Sequence, residues 1–181
     1  VDAVDLTLVL GGTRSGKSAY AETILARAGG VTYVAPTQLG KDDRELLRRV
    51  QRHRERRPDT WHTHEVIDLE ELVGFLYQKQ RYPVLLDSFG SLVARAMEDW
   101  DEEGARAYLL SVIEAIVRSG NSHVVVSEEV GLSLHPLTKV GRDFVDLLGM
   151  CNQRIAKSAK DVVLIVAGLP LVLKGSGSFL A

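Results

Sequence analysis

The sequence predicts an α/β fold, a doubly wound and mostly parallel sheet with helices on both faces. Strand-length runs rich in Val, Leu and Ile recur at 6–10, 31–35, 84–87, 123–127 and 162–167. Helical patterns lie between them at 17–27, 43–57, 69–80, 102–118 and 142–159. The strand runs are continuously apolar rather than alternating, which is how strands buried on both faces read. The intervening segments carry apolar residues at three- and four-residue intervals, giving each helix one face to lay on a sheet. Strand and helix alternating along the chain is what a parallel sheet with crossover helices requires.

The composition fits such a fold. With 181 residues, 45% hydrophobic and 25% charged, the chain is globular, and one domain is expected over 1–174. The Gly-Ser-Gly-Ser composition of the end predicts a flexible tail at 175–181. A formal net charge of −2 gives the molecule no overall attraction to nucleic acid or anionic lipid, so an anion site must be local. The longest uncharged apolar run, 162–173, is interrupted by Gly168 and Pro170, which argues against membrane insertion. The single cysteine, Cys151, excludes an intramolecular disulfide, and the first residues lack the basic start of a secretory signal; the cytoplasm is the expected compartment. Cys151 shares a helix stripe with Phe144, Leu148 and Ile155 and reads as core filler, not as a catalytic thiol.

Directly after the first strand stands Gly11-Gly12-Thr13-Arg14-Ser15-Gly16-Lys17-Ser18, a complete G-x-x-x-x-G-K-[ST] phosphate loop followed by a helix. The glycines let successive N–H groups converge on one centre, and the helix start adds positive potential. The lysine of such a loop reaches the β- and γ-phosphates, and the hydroxyl at Ser18 suits Mg²⁺. The fold class is therefore that of the P-loop NTPases, RecA-like in architecture. Asp87, ending the run Val84-Leu85-Leu86-Asp87, is the candidate metal-side carboxylate; a cap on the following segment is the alternative. Asp87-Ser88-Phe89-Gly90 also fits the D-x-x-G of regulatory GTPases, but the Asn-Lys-x-Asp that reads guanine is absent.

From 41 to 57 there are eight basic residues against four acidic ones, a local balance of +4 that leaves −6 for the rest of the chain. Such a helix is a solvated face, a nucleic-acid patch, or a cover for the polyphosphate. Leu46, Val50, His53 and Arg57 share one stripe, so His53 points with the apolar residues. A hydrogen-bonded core histidine is one reading. Flanking arginines, which favour the neutral nucleophilic imidazole and attract phosphate, support another, and the residues alone leave both open.

Taken together these stretches resemble the cobinamide kinase/cobinamide-phosphate guanylyltransferases of adenosylcobalamin biosynthesis. The resemblance rests on the Gly-Gly-x-Arg-Ser-Gly-Lys-Ser loop, on Tyr33-Val34-Ala35-Pro36-Thr37, and on Asp43-x-Glu45-x-x-x-Arg49-Val50-x-x-His53-Arg54-x-x-Arg57-Pro58-x-x-Trp61-x-Thr63-x-Glu65. Leu85-Leu86-Asp87-Ser88, Glu129-Val130-Gly131, Arg142-x-Phe144-x-Asp146-x-x-Gly149, Asn152-Gln153-Arg154 and Ala167-Gly168 extend it over nearly the whole chain. It implies that His53 takes up GMP covalently from GTP and passes it to adenosylcobinamide phosphate, and that ATP or GTP phosphorylates adenosylcobinamide with Mg²⁺. His53 and Lys17 are then the catalytic pair. Nucleotide contacts fall on Gly11, Gly12, Thr13, Arg14, Ser15, Gly16, Lys17, Ser18, Ala35, Pro36, Thr37, Arg54, Glu55, Arg56, Arg57, Glu65 and Asp87. Ser18 and Asp87 serve the metal, although Glu65 or Asp87 can instead accept from base or ribose. A homotrimer is implied, with a corrinoid as the small-molecule partner and no nucleic acid.

The chain departs from the family pattern twice. Glu128 stands where Asn usually precedes Glu-Val-Gly, and His135 replaces an apolar residue before Pro136, both on the expected corrinoid side. His62 and His64 lie within the Trp-x-Thr-x-Glu match and are expected at the surface. The competing function is a P-loop ATPase or nucleic-acid-binding module using the basic helix 41–57, which requires strongly salt-dependent RNA or DNA binding.

Overall fold

The structure, a computed structural model, describes residues 5–36 and 57–176. The predicted helix at 43–57, apart from Arg57, and the tail from 177 onward lie outside the described residues. Seven strands form one sheet in the order β3-β2-β4-β5-β1-β6-β7. They are β1 (Leu6–Gly11), β2 (Val31–Ala35), β3 (Trp61–Glu65), β4 (Val84–Asp87), β5 (His123–Glu128), β6 (Asp161–Val166) and β7 (Leu169–Lys174). All neighbours pair in parallel except β6 and β7. The described helices are α1 (Lys17–Ile24), α2 (Leu69–Tyr77), α3 (Phe89–Asp99), α4 (Glu102–Arg118) and α5 (Lys139–Ser158).

The strand alternation divides the core in two. Leu6, Leu8, Leu10, Leu86 and Val125 face α2 to α5, whereas Val9, Tyr33, Leu85 and Val126 face α1. Both sets are buried, and each fully buried Leu or Val contributes roughly 1.5–3 kcal/mol of transfer free energy. Helices thus cover both faces as expected, with one of the described helices on one side and four on the other. Cys151 is fully buried among α5's core residues, and burial pushes its thiol up to about 12.

Three elements differ from the sequence expectation. The 162–173 run folds back on itself: Ala167 (φ 52°) and Gly168 (φ 81°) make a two-residue reversal, so the antiparallel β6–β7 hairpin replaces one strand. β3 is an edge strand, Trp-His-Thr-His-Glu, whose polar composition carries no strand signal. α3 begins two residues after β4, and Phe89, Leu92, Val93 and Ala96 bury one stripe at helical spacing. Helix ends also move. α1 stops at Ile24 rather than 27, α2 stops at Tyr77 rather than 80, and α5 starts at Lys139 because Thr138 caps it, accepting from the Gly141 N–H at 3.1 Å.

Because β1 to β5 run the same way, Gly11, Ala35, Glu65, Asp87 and Glu128 end at one edge of the sheet. Ligands of open parallel sheets bind outside that carboxyl edge.

Candidate active site

The phosphate loop leaves β1 at Gly11 and enters α1 at Lys17. Two residues take positive φ, Arg14 (57°) and Gly16 (96°), which turns the backbone around the loop centre. The Ser15 N–H donates to Gly12 O (3.2 Å), and the Gly168 N–H donates to Ser15 O (2.8 Å), so the β6–β7 reversal buttresses the loop from behind. Gly11 is required by close packing, since a Cβ there would overlap the Ser15 hydroxyl and lie 2.9 Å from Ile165 O. Gly12, Thr13, Arg14 and Gly16 are exposed, leaving the loop's outer side open to a polyphosphate.

Ser18 and Asp87 meet at the first turn of α1. The Ser18 hydroxyl donates to Asp87 Oδ1 at 3.2 Å, and the Tyr33 hydroxyl donates to Oδ2 at 3.1 Å. Burial first, and then the Asp87 carboxylate, hold the Tyr33 proton on well above the usual phenol range. Asp87 does not cap α3; Ser88 does, accepting from the Ser91 N–H at 3.3 Å. The carboxylate is therefore committed to the loop side. Ser18 and Asp87 offer hard oxygen donors beside the lysine, a donor set that fits Mg²⁺ held partly by nucleotide phosphates.

The guanidinium of Arg57 lies over the Tyr33 ring, 3.2 Å from its centroid, so the end of the basic stretch reaches the same cluster. Ala35 and Pro36 sit beside it at the end of β2, with Glu65 paired to Ala35 and exposed at the end of β3. Thr37, His53, Arg54, Glu55 and Arg56 lie outside the described residues.

Four further residues have a part in this arrangement through contacts that the sequence does not predict. Tyr33 orients Asp87. Arg95, buried on α3, donates to Pro36 O (2.8 Å), Val66 O (2.5 Å) and Ile67 O (3.0 Å), bracing the ends of β2 and β3. Glu128 ends β5 with Oε1 3.4 Å from Lys17 Nζ, which also approaches Gly12 O at 3.4 Å. Asn152, buried on α5, donates to Glu128 O (3.0 Å) and accepts from the Ser127 hydroxyl (2.6 Å). Asn152 was visible in the Asn-Gln-Arg stretch and Glu128 as a departure, but neither contact follows from spacing along the chain.

Of the two histidines expected at the surface, His62 is there and His64 is not. His62 is exposed and stacks on Tyr82, but His64 is half-buried against Phe75 with ring centroids 3.9 Å apart, and burial lowers its pKa. Among the described residues no group of three or more His, Cys, Asp or Glu is placed to hold a metal ion by itself.

A phosphate loop between a central parallel strand and α1, with a carboxylate across from its Ser, defines a P-loop nucleotide-binding protein. Solved structures agree on the fold. A prototypical type III secretion ATPase matches at TM-score 0.53 and 10% identity, covering 97% of this chain and 60% of that one. The ATPase EscN of enteropathogenic Escherichia coli matches at 0.52 and 12%, covering 90% and 43%. The sequence goes further: the pattern of the cobinamide kinase/cobinamide phosphate guanyltransferase family matches residues 7–173, and the chain belongs to that family. It is 32% identical to the bifunctional adenosylcobalamin biosynthesis protein CobU of E. coli K12, over 93% of this chain and 99% of that protein. It is 35% identical to its counterpart CobP of Pseudomonas aeruginosa, over 93% and 96%.

Proposed function

We propose that this chain carries both activities of its family, acting as an adenosylcobinamide kinase and an adenosylcobinamide-phosphate guanylyltransferase. The observation that carries the reading is the Ser18–Asp87 contact beside Lys17, which pairs a phosphate cradle with a metal-side carboxylate in a chain of this family. Ser18 and Asp87 would hold Mg²⁺, which would supply positive charge against the negative charge developing on the transferring group.

In the kinase step Lys17 and the loop N–H groups of 11–18 hold the triphosphate of ATP or GTP while its γ-phosphoryl moves to the hydroxyl of adenosylcobinamide. In the second step an imidazole nitrogen of His53 attacks the α-phosphorus of GTP, the bond to the pyrophosphate oxygen breaks, and pyrophosphate leaves. A phosphate oxygen of adenosylcobinamide phosphate then attacks the same phosphorus, the N–P bond breaks, and His53 is restored. Arg57, stacked on Tyr33, ties the end of the 41–57 segment to the cradle, which supports a place for that segment near the nucleotide. Ala35, Pro36, Thr37, Arg54, Glu55, Arg56 and Glu65 complete the nucleotide contacts in this reading. We place the protein in the cytoplasm, as a one-domain subunit over 1–174 that assembles as a homotrimer. No described helix is long and apolar enough to cross a membrane.

The test is incubation with α-labelled GTP and Mg²⁺. Wild type should acquire an acid-labile, alkali-stable label and His53→Ala none. Label on the variant rejects the histidine. Salt-dependent binding of RNA or DNA, with no label on wild type, would favour the ATPase or nucleic-acid reading of the basic segment.

A further inference from the structure

We propose that Glu128 is the general base of the kinase step, taking the proton from the acceptor hydroxyl as its oxygen attacks the γ-phosphorus; this rests on the kinase reading above. The observations are geometric. Glu128 ends β5 directly beside Gly11 of β1, so its side chain leaves the sheet where the phosphate loop begins. Oε1 lies 3.4 Å from Lys17 Nζ, and Oε2 accepts the Gly90 N–H at 3.1 Å, in the first turn of α3. The helix start adds a favourable field for the carboxylate. Asn152 fixes the Glu128 backbone from α5. The side chain keeps 26% of its surface exposed, so an acceptor can reach it while Oε2 stays held.

Gly90 leaves room for this carboxylate. A Cβ at position 90 would overlap Glu128 Oε2, so a larger residue there would push the carboxylate from its place. The site thus has two carboxylates with separate duties. Asp87 is committed to Ser18 and Tyr33, on the metal side. Glu128 is on the lysine side, and the lysine of such loops goes to the β- and γ-phosphates once a triphosphate seats. That move takes Nζ to the phosphates and leaves Oε1 facing the terminal phosphoryl, while Gly90 still holds Oε2.

The step balances without a further reagent. The acceptor hydroxyl oxygen bonds to the γ-phosphorus, the bond from that phosphorus to the bridging oxygen breaks, and its electron pair leaves with the nucleoside diphosphate. The hydroxyl proton passes to Oε1 and later to water. GMP transfer has no such proton to remove, because its nucleophiles are an imidazole nitrogen and then a phosphate oxygen.

The experiment compares wild type with Glu128→Gln, Glu128→Asn and Gly90→Ala in the full chain, measuring phosphorylation of adenosylcobinamide by ATP and GMP transfer from GTP to adenosylcobinamide phosphate. Wild-type phosphorylation is measured first, and its absence overturns the kinase reading itself. Given that activity, kinase kcat should fall about 100-fold in both Glu128 variants, the usual range for loss of a general base. The pH profile of kinase kcat should lose its acid limb while the KM for ATP changes little. Gly90→Ala, which displaces the carboxylate without removing it, should show the same kinase defect. GMP transfer should fall far less and reports that the variants are folded. An unchanged kinase kcat and pH profile in Glu128→Gln overturns the inference. So does a raised ATP KM at unchanged kcat, which would make the carboxylate only a tether for Lys17, or an equal loss of both activities.

Discussion

Tyr33 and Asp87 are tied across the adjacent strands β2 and β4: the phenol donates to Oδ2 at 3.1 Å, while Oδ1 takes the Ser18 hydroxyl at 3.2 Å. Each carboxylate oxygen therefore accepts from a named hydroxyl, and the group is aimed at the loop before any nucleotide arrives. Asp87→Asn removes the charge but keeps the shape. It should lower both activities by about 100-fold or more, as expected for loss of a charged group acting on developing negative charge. Tyr33→Phe removes only the orienting bond, worth about 1 kcal/mol. Steady-state rates against Mg²⁺ concentration should show Tyr33→Phe needing several-fold more metal to reach a near-normal maximum, and Asp87→Asn failing to recover at any concentration.

The two glycines that open the loop should behave differently when a methyl group is added. At Gly11 a Cβ overlaps the Ser15 hydroxyl and sits 2.9 Å from Ile165 O, which belongs to backbone and cannot swing away. At Gly12 nothing lies within 4 Å. Gly11→Ala should therefore destabilise the protein by about 1–3 kcal/mol, the range for overpacking. Gly12→Ala should leave stability unchanged within about 0.5 kcal/mol. Urea denaturation followed by circular dichroism checks both. Equal midpoints for the two variants would contradict the packing read at Gly11.

The contrast between what the chain order reveals and what only folding reveals is clearest around these residues. The five apolar strands were legible because burial on both faces leaves runs rich in Val, Leu and Ile, and the phosphate loop because Gly16, Lys17 and Ser18 stand together a fixed distance after Gly11. β3 was not, because an edge strand needs no apolar alternation and Trp61-His62-Thr63-His64-Glu65 looks like loop. β7 was hidden inside a continuous apolar run that a hairpin folds in two at Ala167 and Gly168. Glu128 and Lys17 stand more than a hundred residues apart and become partners because β5 pairs with β1, a fact of sheet order that no local spacing encodes.

Arg95 shows how a buried cation can fix a site from behind. Its guanidinium spans three backbone carbonyls, of Pro36, Val66 and Ile67, where β2 and β3 end. Arg95→Leu removes the guanidinium from the Pro36 and Val66 carbonyls and should cost about 2–6 kcal/mol by urea unfolding, given about 1–3 kcal/mol for each unsatisfied buried polar group. Arg95→Lys keeps the charge but loses the planar fork, and should fall between the two. Because Pro36 is itself among the proposed nucleotide contacts, the KM for nucleotide should rise in Arg95→Lys even where the variant is fully folded. Loss of stability with an unaltered KM would confine Arg95 to the fold.

His123, at the start of β5, is 1% exposed and shares a 2.8 Å hydrogen bond with the Ser119 hydroxyl. Burial lowers its pKa from 6.5 to about 4, so the folded protein keeps a neutral imidazole through mildly acid solution. The unfolded chain, with an ordinary histidine, takes up its proton near pH 6.5. Between those values the unfolded state binds more protons than the folded state, and stability falls as pH falls. The contribution is complete above about pH 6.5, declines through the interval, and is exhausted below about pH 4, for a total on the order of 3 kcal/mol. Replacing the ring with an amide removes this titration. His123→Asn should be less stable than wild type at pH 7.5, through lost packing and the lost bond to Ser119, yet its stability should fall less steeply between pH 6.5 and 4. Urea midpoints at half-unit pH steps measure the two slopes. Parallel lines would show that acid sensitivity in this range comes from other groups and that His123 titrates alike in the folded and unfolded chain.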